Sequence, residues 1–302
     1  MSVNLPQWYV SQFATVINLL LQQKGSLLRD SVDTGHYTGK QASPVDQIGA
    51  IQAQKVTNRF APMGRVDAPV DRRWVFPTDY DLPQLIDNFD LLRLLIDPKS
   101  KYTQNAMYAM GRAADDEIIS AFFSAAKTGE TGATSTPFLN GLSTAGGQVV
   151  SVSQGAAAPV GLTVPKLREA KRVLMANQVD PDEPLWCVVA SKQADNLLAE
   201  AQIISTDFND KPVLVDGKVT RFLGINFKYC ERLQLAVDDA AGTSTQVPVY
   251  TQSGMHLGLW NDVTTDISIR KDLQGLPWQA YAFGTFGSTR LEEKRVVKVW
   301  CR

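Results

Sequence analysis

The chain has 302 residues, room for one large domain or two ordinary ones, and its 44% hydrophobic and 20% charged residues are those of a folded globular protein. A formal net charge of −1 argues against a nucleic-acid-binding domain, which carries a basic excess. The apolar run at 91–96 is far too short to span a membrane, and the opening residues lack the basic and apolar regions of a secretion signal.

Residues 7–24 place apolar side chains at 9, 13, 16, 17, 20 and 21, which predicts an amphipathic helix stopped by Gly25. Residues 26–57 alternate partially among Gly, Ser, Thr and Val and read as strand with turns. Residues 58–77, NRFAPMGRVDAPVDRRWVFP, hold four arginines, two aspartates and three prolines, with no apolar run to build a core. The stretch 36–80 therefore reads as two extended arms joined by a turn near 61–64. An arm of about 20 residues reaches up to roughly 65 Å, beyond the radius of a globule of this length. Trp74, Phe76 and Tyr80 alternate and are expected on one face of one strand.

Residues 82–97 read as a second apolar helix. The strongest helix is predicted at 103–127, with Met107, Met110, Ala114, Ile118, Ala121 and Ala125 in one stripe. It would be about 37 Å long at ~1.5 Å per residue. A Gly- and Ser-rich loop is expected at 128–162, then a helix at 163–178 capped by Thr163 with Pro165 in its first turn. Residues 184–191 read as a buried strand and 191–201 as a short helix capped by Ser191. Short strands fill 212–260, and three further strands close the chain. The class is α+β, with helices early and strands late.

Little in the sequence promises catalysis. His36 and His256 are far apart and neither has a neighbouring Cys or His, so no zinc spacing exists. Phosphate-loop and nucleophile-elbow motifs are absent. Asp115, Asp116 and Glu117 point in different directions on the predicted helix and read as a solvated or interface-paired face. Cys187, Cys230 and Cys301 are scattered and read as reduced thiols, Cys187 and Cys301 as small apolar residues of buried strands. No catalytic residue, cofactor or metal is expected.

The order of parts, together with QQKGSLLRDSV (22–32), DRRWVFPTDYD (71–81), LLIDPKSKYTQNA (94–106) and GRAADDEII (111–119), resembles the major capsid protein of tailed bacteriophages, with the Hong Kong 97-type fold. The resemblance implies an N-arm at 1–35 and an extended hairpin, the E-loop, at 36–81. It implies a P-domain at 82–184 and 266–302 with its spine helix at 103–127, and an A-domain at 185–265. The implied function is self-assembly into hexamers and pentamers of an icosahedral head enclosing DNA. A separate scaffolding protein, a portal and in some cases a decoration protein are implied as partners, with a place in the virion after assembly in the host cytoplasm. An encapsulin-like protein compartment and a soluble α+β enzyme are the alternatives. On this reading the hairpin lies over a neighbouring subunit. Arg59, Arg65, Arg72 and Arg73 would pair with its acids, with Asp115, Asp116 and Glu117 as candidates, while Trp74 and Phe76 anchor it.

Overall fold

Strand alternation organises most of the chain, and the computed structural model describes it over residues 19–53, 55, 65–87, 99–200, 214–215 and 218–302. Strands β1 (Asp33–His36), β2 (Ala42–Ile48), β3 (Val70–Val75) and β4 (Thr78–Ile86) precede the long helix α1 (Lys99–Phe123). Short strands β5 (Ala126–Thr128), β6 (Thr134–Thr136) and β7 (Val149–Val150) lead to helix α2 (Val164–Ala176). Strand β8 (Leu185–Val189), helix α3 (Ser191–Leu198), β9 (Leu214–Val215), β10 (Lys218–Val219), β11 (Arg221–Phe222) and β12 (Ile225–Tyr229) follow. The chain closes with β13 (Leu235–Val237), β14 (Thr243–Thr251), β15 (Met255–Ile269), β16 (Trp278–Arg290) and β17 (Val296–Cys301).

A seven-stranded sheet runs β11-β12-β8-β14-β17-β7, with β13 added on β14. Its central strands read as near-continuous apolar runs because both faces are covered. One face packs Cys187, Val189, Ile225, Val249, Val297 and Val299 against Leu167, Ala170 and Leu174 of α2 and Leu197 of α3. The other face turns Val188, Tyr250, Val296 and Trp300 toward Ala114, Ile118 and Phe122 at the far end of α1. A fully buried side chain of this size is worth about 1.5–3 kcal/mol, so this double layer is the stable centre of the subunit.

The second sheet runs β1-β15-β16-β4 and lies along α1. Ala282 of β16 meets Ala106 and Met110, with Tyr80 and Leu82 of β4 beside them. The third sheet, β2-β3-β5-β6, carries the hairpin. Strands β2 and β3 pair antiparallel, with Asp46 opposite Arg72 and Ile48 opposite Val70.

Several expectations are corrected. The helix predicted at 82–97 is a strand over 82–86, and its remainder at 88–97 falls outside the described residues. Alternation decides it: Tyr80, Leu82, Gln84 and Ile86 are the less exposed set, while Asp79, Asp81, Pro83 and Leu85 are exposed. Pro83 is tolerated because β4 is an edge strand. Residues 19–24, expected as the end of the first helix, are irregular, and 1–18 lie outside the described residues. The long helix starts four residues early and stops at Phe123, because 126–128 pairs with β3 instead. Trp74, Phe76 and Tyr80 do not share a strand: the chain leaves one sheet after Val75 and enters another at Thr78. Helices α2 and α3 lie where expected but lack the predicted side-chain caps; the Ser191 amide instead donates to Glu231 Oε1 at 2.6 Å.

The three cysteines are free and buried, Cys187 and Cys301 in strands as read from the sequence. Lys298 of β17 is buried as well. Its ammonium donates to Asn140 Oδ1 at 2.9 Å and lies 4.7–5.4 Å from the rings of Phe123, Phe138 and Trp300. Burial pushes its pKa down from 10.5 to about 8. Between those values the unfolded chain holds more protons than the folded one, so stability rises with pH through that window. Urea unfolding of the subunit is expected to gain roughly 2–3 kcal/mol between pH 7 and pH 10 relative to Lys298→Met. Equal pH dependence in both proteins would contradict this.

Candidate assembly surfaces

A buried ion pair ties the root of the hairpin to the body. Arg73 in β3 is buried, and its Nη1 and Nη2 donate to the two carboxylate oxygens of Glu293 at 2.8 and 2.7 Å. Its Nε donates to Gln47 Oε1 at 3.3 Å, and Gln47 Nε2 donates to the carbonyl of Leu291 at 2.6 Å. Glu293 also lies 3.6 Å from Nη2 of Arg290, which is fully buried. Arg290 Nη1 donates to the carbonyls of Phe122 and Ser124 at 2.8 and 2.9 Å, closing the C-terminal end of α1. A cation is favoured there because the last carbonyls of a helix are unpaired and carry its negative dipole end. One carboxylate thus links the hairpin root, the end of the long helix and β16. Gly287 is required at this joint, since a Cβ there would sit 2.1 Å from the Phe76 carbonyl oxygen.

Beyond the root, the described residues of the hairpin are mostly exposed. Arg72 spans Asp46 across the strands with Nε at 2.5 Å and Nη2 at 3.0 Å, and lies over the Trp74 ring. That carboxylate is held below its usual range, first by the Arg72 hydrogen bonds. Trp74 Nε1 donates to the Gly129 carbonyl at 2.6 Å. Arg65 pairs with Asp67, both well exposed. Ile48, Ile51, Val66 and Val70 are exposed, Ile48 and Val70 by about three quarters.

The second surface is where the N-terminal segment leaves the body. Gln23 Nε2, Ser26 Oγ and the amides of Leu27 and Leu28 all donate to the buried carboxylate of Asp115, at 2.5–3.1 Å. One turn earlier, Gly111 lets the chain cross at van der Waals range: a Cβ there would meet the Gly25 backbone at 2.5 Å. Two motifs separated by some ninety residues are therefore halves of one joint. Downstream, Asp33 and Tyr37 hold the buried His256 between them, on Nδ1 and Nε2, each at 2.8 Å. Burial lowers the pKa of that imidazole, against an opposing pull from Asp33.

The residues expected to pair across subunits are thus engaged within the subunit. Arg72 and Arg73 meet Asp46 and Glu293, and Arg65 meets Asp67. Asp115 is buried rather than solvated, Asp116 pairs with Arg232, and Glu117 accepts from Tyr80 at 2.5 Å. Trp74 and Phe76 pack at the 129–132 turn, where a Cβ on Gly132 would meet both at 3.0 Å; Phe76 stays 40% exposed. Arg59 lies outside the described residues. Sequence reasoning missed Glu293, Arg290 and Gln47. Only EEKR after a strand could have marked Glu293, and nothing local says that its carboxylate turns inward.

Asp115→Ala is expected to destabilise the subunit by about 1–3 kcal/mol, because it strands buried donors. Faster hydrogen exchange should be confined to residues 23–28. Unchanged exchange there would contradict the role given to Asp115.

A family model described as phage capsid protein matches residues 5–302. The capsid of the cyanophage P-SCSP1u superposes with a TM-score of 0.73 at 13% identity, covering 98% of this chain and 93% of that one. The capsid asymmetric unit of the cyanophage Pam1 gives 0.75 at 12% identity, covering 100% and 99%. The structure titled Mycobacterium phage Che8 gives 0.69 at 12%, covering 98% of each. At such identities the likeness is one of fold. No curated protein sequence matches the chain.

Proposed function

Because this chain belongs to the phage capsid protein family, we propose that it builds its icosahedral head as hexamers and pentamers of itself, closed around DNA that it confines rather than grips. It is a major capsid protein and a component of the virion. The observation that carries the finer reading is the β2–β3 hairpin. Its root is fixed by a buried Arg73–Glu293 pair, while Ile48, Ile51, Val66 and Val70 farther out are exposed. A rigidly rooted arm with an apolar outer half is what contact with another copy needs.

On this reading 36–81 is the lateral arm, 1–35 the N-arm, and 82–184 with 266–302 the P-domain. Residues 185–265 are the A-domain. The paired hairpin strands end at Val75, and position 81 falls inside β4. A scaffolding protein, a portal and a decoration protein are proposed partners, with assembly in the host cytoplasm. The chemistry proposed is contact and not catalysis. No segment of the sequence is a polycation, and the net charge is −1, so passive confinement is favoured over condensation of DNA.

Two measurements test this. Velocity sedimentation of the purified protein at rising concentration should move mass from the subunit to a closed, fast species. Titration with duplex DNA at physiological salt should show binding no tighter than about 10⁻⁶ M. A protein that remains a monomer at all concentrations, with its partner head proteins present, would refute assembly. Tighter, salt-sensitive DNA binding would refute confinement.

A further inference from the structure

One of the grips on the N-terminal segment turns on a titratable side chain. Strand β1 lies at the edge of its sheet, paired parallel with β15, Asp33 opposite His256 and His36 opposite Leu259. Met255, Leu257 and Leu259 belong to the buried cluster shared with α1, so His256 and Gly258, which alternate with them, face away from the helix. On that face the imidazole is buried. Tyr37 covers it, its ring centroid 5.6 Å from those of both His256 and Trp260. Gly35 makes room for the phenol, since a Cβ there would lie 2.7 Å from Tyr37 Oη.

The first residue of β1 and the first residue beyond it therefore close on one ring. The Asp33 carboxylate only accepts, so Nδ1 carries the proton donated to it at 2.8 Å, and Nε2 accepts from the Tyr37 hydroxyl at 2.8 Å. A second proton on Nε2 points at that hydroxyl hydrogen and breaks the bond. Asp33 is the charged group that acts on this ring, and with its side chain 58% exposed, water screens its pull. The other charges around β15 are engaged elsewhere. From β16 the uncharged Thr289 lies opposite. Arg29, in the turn before β1, holds Asp262, on which His36 also acts. Asp46 of β2 is taken by Arg72, and Asp115, Asp116 and Glu117 of α1 by Ser26, Arg232 and Tyr80. Two further ties beside β1, Ser31 to Tyr250 and Arg29 to Asp262, contain no group that ordinarily changes charge between about pH 5 and 8.

We propose that the Asp33–His256–Tyr37 contact is an acid-released latch, which holds β1 to the edge of the sheet while the imidazole is neutral and lets it go when the ring takes a second proton. Detached, the imidazole titrates near its ordinary 6.5; seated, burial holds it lower, against the pull of Asp33. Between those values the detached form binds the extra proton. The latch is therefore complete above about pH 6.5 and weakens as pH falls below it. On the capsid reading, the segment freed is the root of the N-arm. The latch itself needs only one subunit, so it can fail while the capsid reading stands.

The test is hydrogen exchange of the full-length subunit between about pH 7.5 and pH 5, each amide being compared with its unstructured rate at the same pH. Protection of residues 33–37 should fall below about pH 6.5, by at most about ten-fold per pH unit, the limit for one proton. Residues 23–28, held by Asp115, should keep theirs. His256→Gln donates and accepts without titrating, so protection of 33–37 should no longer depend on pH. Asp33→Asn still accepts from Nδ1 but removes the charge that favours the imidazolium, so the loss should move to lower pH. A second measurement needs no variant. The chain has two histidines, and proton NMR should show the imidazole in contact with Tyr37 and Trp260 titrating below about 6.5, together with the loss of protection. Constant protection of 33–37 in the wild-type protein, the same acid loss in His256→Gln, or an equal loss at 23–28 would overturn the proposal.

Discussion

Replacing Glu293 with alanine is expected to destabilise the subunit by about 3–5 kcal/mol, the usual cost of breaking a buried ion pair by removing one partner. Two guanidinium groups depend on this carboxylate. Arg73 makes a bidentate pair with it from the hairpin root, and Arg290 approaches it at 3.6 Å from the end of β16. Both arginines are buried, so neither can turn to water when the carboxylate goes. Burial already lowers the pKa of Arg290, and Glu293 is the first group opposing that shift. The melting temperature should fall by roughly 5–10 °C, with Glu293→Gln less affected because it still accepts a hydrogen bond. The neighbouring pair of Glu292 and Arg295 is more exposed and serves as control, with Glu292→Ala costing less than about 1 kcal/mol. Equal losses at 292 and 293 would show that the buried carboxylate has no special place.

The largest effect on assembly is expected from shortening the hairpin. Ile48 and Val70 face each other, and Gly49 and Pro69 are joined by a 2.7 Å hydrogen bond beyond them. Replacing residues 49–69 by a two-residue Asn-Gly turn therefore closes a regular hairpin at a point the register already pairs. The root contacts of Gln47, Arg72 and Arg73 survive. Circular dichroism and the melting temperature should stay near those of the parent, because none of the described residues removed belongs to the three buried clusters. Closed shells should be absent. Shells formed in normal yield would place the lateral contact elsewhere.

How far the sequence could be read follows from where its information lies. The 3.6-residue stripe around Met110, Ala114 and Ile118 marked α1, and the apolar runs at 185–189 and 296–301 marked central strands, because one-sided or two-sided burial writes itself into local periodicity. Short alternation was weaker. Leu82 and Leu85 are three apart, which suits one face of a helix, yet in the strand paired with β16 they fall on opposite faces. The arginines at 72 and 73 were visible, but not their partners. Asp46 lies across a hairpin and Glu293 comes from the turn between the last two strands, 220 positions away. Likewise Gly25 read as an ordinary helix stop and Gly111 lay inside the predicted long helix, and their shared purpose as a backbone crossing appears only in three dimensions.

The account's central claim is that this subunit becomes a wall by laying its hairpin on another copy. Cryo-electron microscopy of particles grown from the purified protein, with a scaffolding partner supplied, tests it most directly. The account predicts closed icosahedral shells with five-fold and six-fold clusters, in which density for residues 42–75 crosses onto the adjacent subunit. Open aggregates, or closed shells in which each hairpin folds back on its own subunit and touches no other, would contradict it.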